Sequence, residues 1–233
     1  MNAKKSKILF GIISLCQIAG EIFSQTHQNR WGIYIFKPLL MPALMLYFFQ
    51  AVPLKNASLT KILMASLSFS FLGDVFLMLP FDGFVLGLVS FLIAHTLYII
   101  AFWKENEGFQ ETSWTTILTR LMLLLFPAAL LFAEMQKNLG ELTYPVIIYI
   151  LVIETMGLTA WLRREYQSLN AYFLTFMGAL LFIISDSIIA FNKFIQPFNY
   201  ANLTIMMTYI LGQFLIIEGM IHSQYYVQEI KKE

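Results

Sequence analysis

Eight runs of about twenty mostly apolar residues follow one another along the chain, at 8–23, 33–50, 59–79, 84–103, 115–133, 142–161, 171–191 and 200–222. Polar or turn-forming residues bound each of them. A run of that length spans the hydrocarbon core of a bilayer only as a helix, because no water is present there to satisfy backbone N–H and C=O groups. The joins are short: Pro80-Phe81-Asp82-Gly83 and Gln196-Pro197-Phe198-Asn199 read as tight turns, and the longest polar stretch is only Lys104 to Ser113. Nothing is left over for a soluble domain. Composition agrees, with 58% apolar and 12% charged residues among 233. A soluble domain of this length could not hide so much apolar surface. A soluble enzyme, a nucleic-acid binder and a disordered chain are excluded, leaving an all-α integral membrane protein, a single domain over residues 1–233.

Lysine and arginine placement orients the spans. With both termini cytoplasmic, the inside set is Lys4, Lys5, Lys7, Lys55, Lys61, Lys104, Arg120, Arg163, Arg164, Lys231 and Lys232, against Arg30, Lys37, Lys137 and Lys193 outside, a split of eleven to four. The basic start followed by an apolar run from Ile8 resembles a signal peptide but lacks a small-x-small cleavage site, so it reads as a retained first helix. The compact loops lean toward a bacterial plasma membrane. A net charge of +1 gives nucleic acid no foothold. Cys16 is the lone cysteine, and His27, His95 and His222 are too scattered for a zinc cage, so neither disulfide nor metal is expected. No obligatory protein partner is evident.

Ionisable residues inside a bilayer are costly and usually face an internal cavity. Asp74 lies in Ser70-Phe71-Leu72-Gly73-Asp74-Val75-Phe76-Leu77, and Asp186 in Phe182-Ile183-Ile184-Ser185-Asp186-Ser187-Ile188-Ile189. The segments align loosely 112 residues apart, four spans on, which points to a parallel four-plus-four duplication with a site between the halves. Each aspartate sits about six residues before the outer end of its span, roughly 9 Å deep. Level carboxylates on two helices read as an acid/base pair, against the plainer account of hydrogen-bonded packing elements beside Gly73 and Ser185. His95 lies mid-span, with Tyr98 three residues on and on the same face. The short join between spans three and four puts His95 within expected reach of Asp74.

Lys193 follows Asp186 by two helical turns, with Asn192 beside it; Lys37 opens span two at the same outer level, where Glu21 ends span one. These lysines either snorkel to the interface or form a cationic rim for a phosphate headgroup. Tyr209 and Gln213 share a face at i,i+4 and could hydrogen-bond a ligand. Tyr149 and Glu154 sit within span six without a role. Glu218 and His222 are taken as solvated charge at the cytoplasmic end.

These residues carry a resemblance. Tyr34 to Leu39, Ser70 to Leu77, Gly87 to Tyr98, Gly178 to Ser187 with Asn192-Lys193-Phe194, and Tyr209 to Gln213 resemble, in order, segments of the YhhN family. The resemblance implies a multi-span lysoplasmalogenase, cleaving the vinyl ether of lysoplasmenyl-ethanolamine or -choline into a fatty aldehyde and a glycerophospho-alcohol. Such hydrolysis protonates the carbon beta to oxygen, forms an oxocarbenium ion, adds water and collapses the hemiacetal. Two carboxylates can supply the proton, activate water and stabilise the cation, as in glycoside cleavage. On that expectation Asp74 and Asp186 are catalytic, His95 relays or orients, and Lys37, Lys193, Asn192, Tyr98, Tyr209 and Gln213 bind the lysophospholipid, with no cofactor. The rival is a proton-coupled lipid or small-solute transporter, which more often shows helices broken at mid-membrane. Pro38, Pro42, Pro80, Pro127 and Pro145 are expected mostly at span starts or in turns, which weighs for a static pocket.

Overall fold

The computed structural model describes residues 2–27, 30–52, 57–79, 83–105, 112–165 and 167–230. Among them are eight α-helices and no strand: α1 (Ala3–His27), α2 (Trp31–Ala51), α3 (Ala57–Met78), α4 (Phe84–Glu105), α5 (Trp114–Leu139), α6 (Thr143–Leu162), α7 (Leu169–Phe194) and α8 (Ala201–Ile230). Every apolar run therefore became a helix, usually longer than the run itself. The 30 residues of α8 reach about 45 Å, well past a hydrocarbon core of about 30 Å.

By length and composition, seven helical segments among the described residues can cross a membrane. The count is seven because Trp114–Leu162 is helical almost without pause for 49 residues. Gly140, in the left-handed region at φ 52°, ends α5. A 3-10 turn, Gly140–Leu142, then leads straight into α6. Leu124 of α5 packs with Leu158 and Leu162 of α6, so the two helices lie side by side.

The turn expected at Pro80 to Asp82 lies outside the described residues, as do Lys55, Lys231, Lys232 and most of the Lys104–Ser113 stretch. The second turn is present between α7 and α8. Asn192 Oδ1 accepts the Phe198 backbone N–H at 3.2 Å, and Tyr200, left-handed at φ 64°, completes the reversal.

The prolines depart from expectation. Pro38 and Pro42 are inside α2 and Pro127 is inside α5. Each removes one intrahelical hydrogen bond, and in a membrane helix neighbouring segments can accommodate the freed carbonyl. Pro145, in the first turn of α6, sits where a proline is tolerated.

The helices group into two compact units, residues 1–98 and 99–233, with the boundary inside α4. In the first, Leu40, Leu44 and Phe48 of α2 and Leu59, Leu63 and Leu67 of α3 are fully buried at i,i+4 spacing, the rows from which ridge-and-groove packing is built. Gly20 of α1 and Gly32 of α2 bring their backbones together; a Cβ on Gly20 would stand 3.3 Å from the Gly32 carbonyl carbon. At the opposite end of that pair the Ser6 hydroxyl donates to Gln50 Oε1 at 2.6 Å.

The second unit is organised by α7 and α8. Ala171, Thr175, Gly178, Phe182 and Ser185 are buried on α7, and Met206, Tyr209, Gln213, Ile216, Met220 and Ser223 on α8. Both series alternate steps of three and four, the spacing that keeps a seam facing its partner along two long helices. Small residues let the backbones approach, as expected where lipid gives no hydrophobic drive to helix association. A Cβ on Gly178 would meet the Ile216 nitrogen at 2.6 Å and the Gly212 carbonyl at 2.7 Å.

Near one end of this unit Arg163 is fully buried. Its Nη2 donates to Glu105 Oε2 at 2.5 Å, and Nη1 to Thr175 Oγ1 at 3.2 Å and Met220 Sδ at 2.7 Å. The guanidinium also lies over the Phe102 ring at 5.3 Å. Ser223 donates to Glu105 Oε2 at 2.8 Å and stands 2.5 Å from the Gln167 side-chain amide. Burial pulls Arg163 below the ordinary arginine range, and the Glu105 charge pushes it back up. Arg163 is thus a buried pivot for four helices rather than a loop charge.

Candidate active site

Asp186 follows Ser185 on α7. Ser185 lies in the α7–α8 seam and donates to the Ile205 carbonyl at 3.2 Å. One residue further turns the helix by about 100°, which takes Asp186 off that seam and toward α6. There the Tyr149 hydroxyl donates to Asp186 Oδ2. Tyr149 is 9% exposed, so the phenol is held by packing and spends its hydrogen on this carboxylate. A phenol donating to a carboxyl oxygen fixes its rotamer and stabilises negative charge on it. Asp186 itself is half-buried.

Asp74 is 2% exposed on α3. The preceding Gly73 is required by the fit with α4: a Cβ there would stand 2.6 Å from the Phe91 ring. Phe91 in turn stacks on His95, with centroids 6.4 Å apart, and His95 is fully buried. The α3–α4 contact therefore brings the His95 neighbourhood against the turn of α3 that carries Asp74. Tyr98, also fully buried, sets its phenol against Ser66 of α3.

Asp74 is four residues from the end of α3 and Asp186 eight from the end of α7, about 6 Å and about 12 Å of helix. Helix α7 continues beyond its apolar run, through Asn192 and Lys193.

Several binding candidates have structural partners. Lys37 acts electrostatically on Glu21, a carboxylate 3% exposed that also accepts from Gln17 Nε2 at 2.9 Å. Asn192 holds the turn after α7. Tyr209, 3% exposed, packs edge-on against Phe182 with centroids 5.4 Å apart, and fully buried Gln213 lies one turn along the same seam. Lys193 is exposed in the last turn of α7. Glu218 is 7% exposed, not solvated as expected, with His222 Nε2 3.9 Å from its Oε2.

Four residues were given no role in the site by the sequence. Tyr149 is one of 11 tyrosines and carries no local mark; its spacing from Asp186 becomes meaningful only when α6 packs on α7. Arg163 and Glu105 were hidden by their position at helix ends, where charge is ordinarily solvated. Glu154 had a usable signal, a carboxylate within an apolar run.

These features define a class: a multi-pass helical membrane protein with carboxylates and a histidine held inside its apolar helices. Within that class the chain belongs to the YhhN family, whose profile matches residues 32–220. It is 34% identical to lysoplasmalogenase TMEM86A of Bos taurus over 190 residues, covering 76% of this chain and 72% of that protein. It is 33% identical to human lysoplasmalogenase TMEM86B over 196 residues, 84% of this chain and 78% of that protein. YhhN of Escherichia coli O157:H7, an uncharacterized membrane protein, is 28% identical over 218 residues, 91% of this chain and 99% of that protein. No solved structure matches the chain.

Proposed function

We propose that this protein is a membrane-embedded lysoplasmalogenase, hydrolysing the vinyl ether of a lysoplasmenyl-ethanolamine or -choline to a fatty aldehyde and a glycerophospho-alcohol. Relatives at 33% and 34% identity that bear that name support the substrate class. The observation that carries the chemistry is the Tyr149 hydrogen bond to Asp186, which furnishes a carboxylate organised to hold negative charge within apolar helices.

Asp74 donates its proton to the vinyl carbon beta to oxygen, converting the ether to an oxocarbenium ion. Asp186 offsets that positive charge and takes a proton from the attacking water, giving a hemiacetal. Collapse of the hemiacetal breaks the carbon–oxygen bond, releases the aldehyde, and returns a proton to the departing glycerol oxygen. His95, buried beside the Asp74 turn, orients or resupplies the acid. Lys193, with Lys37, binds the phosphate; Asn192, Tyr98, Tyr209 and Gln213 shape the site around the lysophospholipid. No metal or cofactor enters this scheme.

The proposal includes eight membrane crossings, α5 and α6 each spanning once, with both termini cytoplasmic and a bacterial plasma membrane as the site. It treats both units as one transmembrane domain, without an obligatory protein partner.

The prolines inside α2 and α5 favour a second reading, a proton-coupled lipid or small-solute transporter. One experiment separates the two. Purified protein is offered lysoplasmenyl-ethanolamine beside its saturated alkyl-ether and acyl counterparts, and products are read by mass spectrometry. Aldehyde from the vinyl ether alone, lost in Asp74→Asn, supports the hydrolase. Absence of aldehyde, together with uptake of unmodified lipid into proteoliposomes, overturns it in favour of transport.

A further inference from the structure

Helices α5, α6 and α7 enclose a groove of about 700 Å³, a volume within the range of small-molecule sites. Leu123, Pro127 and Leu131 of α5 form one wall and Ile184 and Phe191 of α7 the other. Leu123 is 59% and Ile184 46% exposed, so the mouth opens sideways from apolar helices, where lipid chains would lie. Glu154 of α6 also lines the groove. Glu154 is 3% exposed, and its Oε2 is buried with no hydrogen-bond partner among the described residues. An unpartnered carboxyl oxygen so placed is costly unless something brought into the groove satisfies it.

A second polar group is built into the wall. Pro127 has no N–H to offer the Leu123 carbonyl one turn earlier, so that oxygen lacks its intrahelical donor. The floor is fixed: a Cβ on Gly157, one turn after Glu154, would stand 2.7 Å from Ile183 Cδ1, so α6 and α7 are already in close contact there. None of the lining residues is Lys or Arg, so the groove has nothing to recognise a phosphate.

We propose that this groove is a binding site for a single long alkyl chain ended by an uncharged oxygen function, an alcohol or an aldehyde, with that end hydrogen-bonded to Glu154. The apolar walls take the chain, and a carboxyl serves such an end as donor or acceptor. The occupant comes from one of two sources, the aldehyde of the proposed reaction or a long-chain alcohol of the bilayer. The site rests on geometry alone and stands or falls apart from vinyl-ether hydrolysis.

The test is photolabelling of the full-length protein in nanodiscs with a diazirine-bearing palmityl alcohol, mapped by peptide mass spectrometry. Label concentrated on 123–131 and 184–191, and displaced by palmitaldehyde or palmityl alcohol but not by diacyl phosphatidylcholine, is the expected result. Stronger displacement by the aldehyde points to the product, and by the alcohol to the bilayer source; either ordering supports the site. Glu154→Leu should weaken labelling about fivefold, while Glu154→Gln retains most of it. Ala128→Trp, at a half-buried lining position, should block the groove without touching Glu154. Label spread evenly over lipid-facing helices, or displaced equally by diacyl phosphatidylcholine, would show an ordinary lipid annulus and overturn the proposal. So would labelling unchanged in both Glu154→Leu and Ala128→Trp proteins that remain monodisperse.

Discussion

The hydroxyl of Tyr149 on α6 donates a hydrogen bond to Oδ2 of Asp186 on α7, tying a buried phenol to a carboxylate within the apolar part of the chain. The bond depends on the phase of α7. Its seam residues face α8, and a step of one residue past Ser185 turns Asp186 toward α6. In the proposed hydrolase the phenol keeps one carboxylate as an acceptor, which assigns Asp186 the base role and leaves Asp74 as the acid.

Turnover should follow that division. Asp74→Asn and Asp186→Asn are expected to lower kcat by at least about 100-fold, the scale of general acid–base catalysis. Tyr149→Phe removes one hydrogen bond and should cost about tenfold in kcat with little change in KM. Aldehyde release measured at saturating and at low substrate separates these parameters. A Tyr149→Phe protein with unchanged kcat would remove the phenol from the mechanism.

The two lysines should behave differently from the aspartates and from each other. Lys193 is exposed in the last turn of α7, so Lys193→Met should raise KM severalfold at constant kcat. Lys37 also acts on Glu21, so Lys37→Met should both raise KM and destabilise the first unit. Kinetics and thermal unfolding in the same detergent test both. A pure kcat loss in Lys193→Met would contradict a headgroup role.

Arg163 and Glu105 form a buried pair, and breaking it from one side leaves an uncompensated charge. Arg163→Met is expected to destabilise by about 3–5 kcal/mol. The double change Arg163→Met with Glu105→Leu should recover much of that loss, because no charge is then stranded. Unfolding monitored by circular dichroism checks the order; a double variant no better than the single would show that the pair adds more than mutual neutralisation.

Glycine substitutions should divide by what surrounds them. A Cβ at Gly178 meets the backbone of α8, which cannot yield as a side chain can, so Gly178→Ala should cost about 1–3 kcal/mol. At Gly11, mid-helix in α1, nothing lies within 4 Å. Gly11→Ala should therefore be neutral or stabilising by about 0.5–1 kcal/mol. Equal destabilisation at both positions would refute the close α7–α8 approach.

The sequence alone determined the helices and their apolar character. A bilayer forbids unpaired backbone groups, so each long apolar run from 8–23 to 200–222 had one available structure. It also singled out Asp74, Asp186 and His95, because an ionisable group in hydrocarbon is conspicuous whatever it touches. Tertiary structure decided what surrounds those groups. Tyr149 gained its meaning from the packing of α6 on α7, and Tyr209 and Gln213 became members of the α7–α8 seam. Arg163, an ordinary helix-end charge in the sequence, was drawn fully inside by Glu105, Thr175 and Met220. Pro42 and Pro127 were kept within helices, where local preference alone would have put an end. The physical reason is common to all of these. Solvation in the bilayer acts on each residue by itself and is written in composition, whereas hydrogen bonds and close helix contacts join residues that only folding brings together.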